Sequence, residues 1–166
     1  QVAYAGVCDA DLEVASGHLH VYSGSLSGYP ATPGHEYSGI VVNIGTRVRG
    51  LRQGDKVVGE YTVGCGNCPA CVTGEVYRCT QRQDTSPMNL DGAYARYLIT
   101  SRHHIHKLPR EILLKQGVLT GLVATCLNGL RKLEIRSGVA ACVIGAGPLG
   151  NLCAQILKSR GVDVTV

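Results

Sequence analysis

The apolar positions of the chain change rhythm past its middle. Up to about Pro109 they come in short runs, such as 40–44, 56–58 and 94–100, broken by Gly, Pro, Asn and Asp. Short runs separated by turn formers predict many short strands in a barrel-like β domain. The stretch 113–133 is then long, proline-free and rich in Ala, Leu and Val, which predicts helix. Residues 139–144 form a continuous apolar run of the kind a buried parallel strand shows. After a glycine loop at 145–150, apolar residues recur at helical spacing as Leu149, Leu152, Cys153, Ile156 and Leu157, with Gly161 as the stop. Residues 162–166 open another strand. The second pattern is that of a β-α-β unit, and the fold class it predicts is mixed α/β.

The length, 166 residues, fits one domain or one domain plus part of another. Phe and Trp are absent, so the core must be packed from Val, Leu, Ile, Ala and Tyr. The net charge of +4 is spread thinly, with His103, His104 and His106 as a small cluster at the expected domain junction. No basic stripe points to nucleic acid, and no apolar run has the length of a membrane span. Glu13 and His20 read as solvated, and Tyr22, Tyr29 and Tyr37 as packing residues. The first residue is Gln1, so an N-terminal targeting segment is left open.

Cys65, Cys68, Cys71 and Cys79 read C-x2-C-x2-C-x7-C, with Gly64, Gly66, Pro69 and Gly74 between or beside them. Thiolates this close can converge on one ion at about 2.3 Å each, as in a closed structural zinc site. Two disulfides would close small strained loops instead, and an iron–sulfur cluster draws on overlapping spacings. Cys126, Cys142 and Cys153 sit in apolar surroundings like buried thiols, and this usage predicts a reducing, cytoplasmic setting.

Gly145, Ala146, Gly147, Pro148, Leu149 and Gly150 spell G-x-G-x-x-G between a predicted strand and a predicted helix. That context makes the hexamer a pyrophosphate loop: a tight turn, a close backbone approach, and helix amides facing the phosphates. The acidic residue that would separate NAD from NADP is expected about 20 residues further on, near the last residue of the sequence. Upstream, Cys8, His35 and Glu36 offer a thiolate, an imidazole and a carboxylate, a donor set for zinc with a position left for water or substrate. Zinc acidifies an alcohol as it acidifies water, which readies its carbon to release hydride to a nicotinamide. By spacing alone, a lone cysteine and a lone histidine read equally as packing residues.

Five ordered segments carry a resemblance: Gly6-Val7-Cys8-Asp9-Ala10-Asp11; Gly34-His35-Glu36-Tyr37-Ser38-Gly39 with Gly45 and Val48; Gly54-Asp55-Lys56-Val57; the four-cysteine lobe; and the glycine loop. Together they resemble the zinc-dependent medium-chain alcohol/polyol dehydrogenases, in the sorbitol and threonine dehydrogenase branch. The resemblance implies a GroES-like β-barrel catalytic domain over 1–112 and the beginning of a Rossmann doubly wound parallel sheet over 113–166. It implies catalytic zinc on Cys8 and His35, with Glu36 as ligand or exchangeable neighbour, and Asp11 orienting the His35 ring. It implies structural zinc on the four cysteines, NAD or NADP on the glycine loop, a small-molecule alcohol or polyol as substrate, and dimers or tetramers of the full-length protein. It further implies a fragment, short of about thirty residues of first strands and of most of the Rossmann domain, and inactive alone.

The chain departs from that family in its proton relay and in a ligand. Ala10 stands where Ser or Thr usually relays the alcohol proton, and Thr62 is a candidate substitute. The further zinc ligand is expected near 120–122, where Thr120, Gly121 and Leu122 stand. These departures motivate an alternative: a non-catalytic family member or scaffold retaining only the structural zinc. A zinc-independent reductase is a third reading, opposed by Cys8 and the cysteine lobe.

Overall fold

The computed structural model describes residues 1–16, 32–85 and 90–166; His20, Tyr22 and Tyr29 lie outside the described residues. The chain divides into two compact units, Gln1–Val118 and Leu119–Val166.

In the first unit, β1 (Val2–Ala5) leads into a short helix, α1 (Asp9–Ser16). The strands β2 (Tyr37–Ile40) and β3 (Lys56–Gly59) follow, then β4 (Thr62–Val63). A one-turn helix, α2 (Pro69–Val72), lies among the clustered cysteines, and β5 (Gln83–Asp84) and β6 (Ile105–Lys107) come after it. The unit closes near α3 (Leu114–Gly117). Four strands make one antiparallel sheet in the order β1-β2-β3-β6, with an irregular register between Val2 and Tyr4. The strands β4 and β5 pair separately, Thr62 opposite Asp84 and Val63 opposite Gln83. Tyr37, Val57, Ala93 and Ile105 form the core, with Val2, Ala5, Val41, Leu51 and Leu98 packed against it. Tyr replaces the missing Phe and Trp as the large core residue: Tyr37 is 5 % exposed.

The second unit holds α4 (Thr120–Leu130), β7 (Ala140–Cys142), α5 (Pro148–Ser159) and β8 (Asp163–Thr165). The strands β7 and β8 pair in parallel, so the expected β-α-β unit is present. Leu130, Leu157 and Val162 are its buried centre.

Four expectations need correction. The segment 94–100 is not a strand, because Tyr94 is committed elsewhere: its amide donates to Pro33 O at 2.9 Å and its hydroxyl to Gly6 O at 2.9 Å. The run 40–44 leaves the sheet after Ile40; Val41 instead exchanges hydrogen bonds with the 54–55 turn, to Asp55 O and from Gly54 N. The helix expected over 113–133 is two helices, α3 and α4. Gly117, a poor helix former, ends the first, buried so tightly that a Cβ there would meet Leu108 at 2.5 Å. Cys142 is exposed rather than buried, whereas Cys126 is buried and Cys153 partly so. Among the described residues no helix is long and apolar enough to cross a membrane.

Candidate metal centre and phosphate loop

Cys8 is the residue before α1, and Asp11 is the third residue inside it. The Asp11 carboxylate reaches back to accept the Cys8 amide at 2.9 Å, a capping arrangement that also suits the positive end of the helix. The first turn of the helix is therefore fixed against the residue that bears the thiol. His35 lies one residue ahead of Glu36 and two ahead of β2. Gly34 makes that placement feasible: its φ is +99°, and a Cβ would lie 2.6 Å from the Tyr94 ring.

Cys8, Asp11 and His35 converge, one ligand atom from each lying within 4.8 Å of the others. The Cys8 Sγ to His35 Nε2 distance is 3.5 Å. A tetrahedral zinc with ordinary bond lengths would set sulfur and nitrogen ~3.6 Å apart, so this pair is spaced to share an ion. The other ring nitrogen, Nδ1, faces Asp11 Oδ1 at 3.9 Å, and the Asp11 side chain is 5 % exposed. Burial acts to raise the Asp11 carboxyl, but the Cys8 amide, the Tyr94 hydroxyl, the Cys8 thiol and the His35 charge outweigh it and hold it below the usual carboxylate value. Burial pushes the Cys8 thiol up and the Asp11 carboxylate adds to this, the Asp11 and Ala10 amides offsetting only part; a divalent cation would favour the thiolate.

Glu36 is not in this cluster. Its backbone carbonyl accepts the Gly6 amide at 2.8 Å, and its carboxylate lies over Gly6, Oε2 being 2.6 Å from where a Cβ would stand. Ala10 is an exposed methyl. The Thr62 hydroxyl donates to Asp84 Oδ1 at 2.9 Å, which commits its proton to the β4–β5 pair. Thr120, Gly121 and Leu122 lie in the second compact unit and add no Cys, His or acidic ligand. Two residues that the sequence reading passed over touch the site: Tyr61, whose ring is 5.5 Å from that of His35, and Tyr94, whose hydroxyl interacts with Asp11. Neither has a signal in its own neighbourhood of sequence.

The cysteine lobe is a second cluster. Cys65, Cys68, Cys71 and Cys79 each present a sulfur within 4.8 Å of the others, and Cys65 and Cys71 are 4.0 Å apart. A tetrahedral zinc would set sulfurs ~3.8 Å apart. Cys68 caps α2 and Cys71 lies on its first turn, three residues on, so one helical turn brings both to the same side. The Asn67 and Cys68 amides lower the Cys65 thiol to about 6. Although the Gly66 amide acts to lower Cys71, burial and the neighbouring thiols push it up to about 12. Four thiols this close cannot all ionise unless a cation joins them.

His104, 4 % exposed, braces this lobe. It accepts the Gly64 amide on Nε2 at 3.1 Å, which places its proton on Nδ1, and Nδ1 faces Glu60 Oε2 at 3.2 Å. Glu60 also meets the exposed His106 at 2.6 Å.

In the second unit Gly147 caps α5 and Pro148 opens it. Gly147 has no side chain, so the first-turn amides stay open to a ligand. Gly150 is required for close packing: a Cβ there would collide with Gly145 O. This close packing and open cap are a geometry into which a pyrophosphate fits.

The sequence profile of the alcohol dehydrogenase GroES-like domain matches residues 1–110. The chain is 34 % identical to a sorbitol dehydrogenase of Halalkalibacterium halodurans over 167 residues, covering 100 % of this chain and 47 % of that protein. It is 35 % identical to a 2-dehydro-3-deoxy-L-galactonate 5-dehydrogenase of Pseudoalteromonas atlantica over 170 residues, covering 99 % of this chain and 47 % of that protein. It spans about half the length of the curated relatives it matches. Among solved structures it is similar to a zinc-binding dehydrogenase from Sinorhizobium meliloti 1021 bound to NADP (TM-score 0.83, 28 % identity, covering 100 % of this chain and 47 % of that one). It is also similar to an alcohol dehydrogenase from Thermus sp. ATN1 (TM-score 0.82, 29 % identity, covering 96 % of this chain and 47 % of that one). The fold is mixed α/β, a GroES-like domain followed by the opening β-α-β of a Rossmann sheet. The chain belongs to the alcohol dehydrogenase GroES-like domain family.

Proposed function

We propose that the protein is a zinc-dependent oxidoreductase that moves a hydride between the CH–OH group of an alcohol or polyol and NAD or NADP. The observation that carries this reading is the convergence of Cys8, His35 and Asp11, with the Cys8 Sγ and His35 Nε2 spaced 3.5 Å apart as zinc ligands. The relatives described as sorbitol and galactonate dehydrogenases support the substrate class, and the neighbour bound to NADP supports the cofactor.

In this reading Cys8 and His35 hold a catalytic zinc, with Glu36 as an exchangeable ligand. That zinc would supply Lewis acidity, lowering the pKa of an alcohol bound to it. Asp11 keeps the His35 proton on Nδ1 and so leaves the Nε2 lone pair for the metal. The His35 side chain is 23 % exposed, so water reaches the site and can take a substrate proton that neither Ala10 nor Thr62 is placed to accept. Cys65, Cys68, Cys71 and Cys79 hold a structural zinc that fixes their lobe. Gly145, Ala146, Gly147, Pro148, Leu149 and Gly150 receive the cofactor pyrophosphate. We assign the catalytic domain to 1–112 and the nucleotide-binding domain to 113–166, a homodimer or homotetramer to the full-length protein, and the cytoplasm as its compartment; the free thiols suit a reducing setting.

A second reading, a non-catalytic member with structural zinc alone, is favoured by Ala10 and Gly121. Zinc per polypeptide, measured by elemental mass spectrometry, separates the two. In the full-length protein, two zincs, one of them lost in Cys8→Ser together with oxidation of a panel of alcohols and polyols, is the expected result. One zinc in the unaltered protein would overturn the dehydrogenase reading.

A further inference from the structure

The two segments that bear Cys8 and His35 are far apart in sequence, and a metal pair needs them held to a fraction of an ångström. The segment 92–94 lies against both. Gly92 N donates to Thr32 O at 2.7 Å, Ala93 N to Gly34 O at 2.7 Å and Tyr94 N to Pro33 O at 2.9 Å, a zipper that ends next to His35. The Tyr94 ring fills the space beside Gly34 that a Cβ would need. At the far end of the ring the hydroxyl donates to Gly6 O at 2.9 Å, two residues before Cys8, and interacts with the Asp11 carboxylate. One side chain thus has its backbone tied to the His35 segment, and its hydroxyl tied to the Cys8 segment and to the group that orients the His35 ring.

We infer that Tyr94 is a positioning residue for the Cys8–His35 metal pair, acting through Gly6 and Asp11. The inference rests on the zinc reading above. It differs from a general packing role because the ring and the hydroxyl do separate things. The ring and the backbone zipper support the fold. The hydroxyl sets where Cys8 and the Asp11 carboxylate stand relative to His35. A phenylalanine at this position would keep the first role and lose the second.

The test is Tyr94→Phe in the protein, loaded with zinc and separately with cobalt(II), whose visible absorption reports coordination geometry. The readouts are chelator competition at the Cys8–His35 site and the cobalt spectrum, with zinc in the four-cysteine lobe as the internal sign of intact folding. Outer partners of metal ligands commonly affect affinity by 10–100-fold, and Tyr94 is partly exposed, so the expected loss is roughly 10-fold, with a changed cobalt spectrum and the lobe zinc retained. Replacing Tyr94 by 4-aminophenylalanine, which keeps the ring and restores a donor, should return most of that affinity. Affinity within about twofold of the unaltered protein with an unchanged spectrum, or a loss that the restored donor does not recover, would overturn the inference. If the unaltered protein holds metal only in the cysteine lobe, the zinc reading fails and takes this inference with it. Two metals in the unaltered protein and no effect of Tyr94→Phe refute the role of Tyr94 alone.

Discussion

Glu60 holds two histidines, and the structure ranks them in an order that distance alone would reverse. His106 is the closer partner at 2.6 Å, but its side chain is 56 % exposed; His104 is at 3.2 Å and 4 % exposed. An exposed ion pair is screened by water and contributes about 0–1 kcal/mol, so His106→Leu should cost less than about 1 kcal/mol. His104→Leu keeps a side chain of similar size but leaves the Gly64 amide without its acceptor, one residue from Cys65. The unpaired amide costs about 2 kcal/mol, and the lost bond to a charged carboxylate about 2 kcal/mol more. Burying the leucine returns about 1 kcal/mol, for a net cost near ~3 kcal/mol. At about 3 °C per kcal/mol for a domain of this size, the melting temperature should fall by about 9 °C. Because the loss falls at the entrance to the cysteine lobe, zinc release to a chelating dye should also quicken in His104→Leu and stay unchanged in His106→Leu. Thermal melts and dye kinetics on both variants check this. Equal effects, or a larger one from His106, would refute the claim that burial outranks distance at Glu60.

Two further outcomes follow from the packing. The Tyr37 hydroxyl is buried against Gly59 and has no hydrogen-bond partner among the described residues; the buried Thr100 hydroxyl likewise has none, and the two interact in no bonding geometry. Tyr37→Phe should therefore be neutral or stabilising by up to about 1 kcal/mol in urea unfolding, and a clear loss of stability would mean that the hydroxyl has a partner. In the glycine loop, Gly150→Ala drives a Cβ into Gly145 O and should cost about 1–3 kcal/mol as well as cofactor affinity, whereas Gly147→Ala, with open space around it and a φ of −70°, should keep stability and lose affinity. Unfolding curves and nicotinamide fluorescence titrations on the pair distinguish the two, and equal stability losses would contradict the loop geometry.

Much of this was written in local spacing. Cys65, Cys68, Cys71 and Cys79 lie within one short excursion, so a single helical turn and two bends bring their sulfurs together, and residue order alone carries the information. The glycine loop is local in the same sense, since a strand, six residues and a helix make the whole cradle. The Cys8–His35 pair was legible only through resemblance, because 27 residues separate its members. Tyr94 was not legible at all: its hydroxyl contact spans 88 residues, and 94–100 reads as a strand until tertiary contacts claim its first residue. Glu36 is adjacent to His35 in sequence, yet its carboxylate lies over Gly6, outside the Cys8–Asp11–His35 cluster, a placement that adjacency does not encode. The break between α3 and α4 depended on what packs against Gly117, which the helical periodicity of 113–133 does not encode.

The pairing of β4 with β5 makes the cysteine lobe a detachable part. Residues 64–82 leave the β4–β5 pair from Val63 and return at Gln83, and those two residues stand opposite each other, locked further by Thr85 N to Tyr61 O at 2.8 Å. Entry and exit of the excursion are therefore neighbours, as in any hairpin, whatever lies between them. A two-residue turn could join the same strands, since hairpins of that length are common and loop closure grows only slowly costlier with length. The four-stranded sheet would keep its register, for none of its pairings runs through the lobe. Insertion, deletion or exchange of the entire excursion is thus the unit in which this part of the chain can vary, and partial loss of its cysteines is the intermediate that the geometry penalises most.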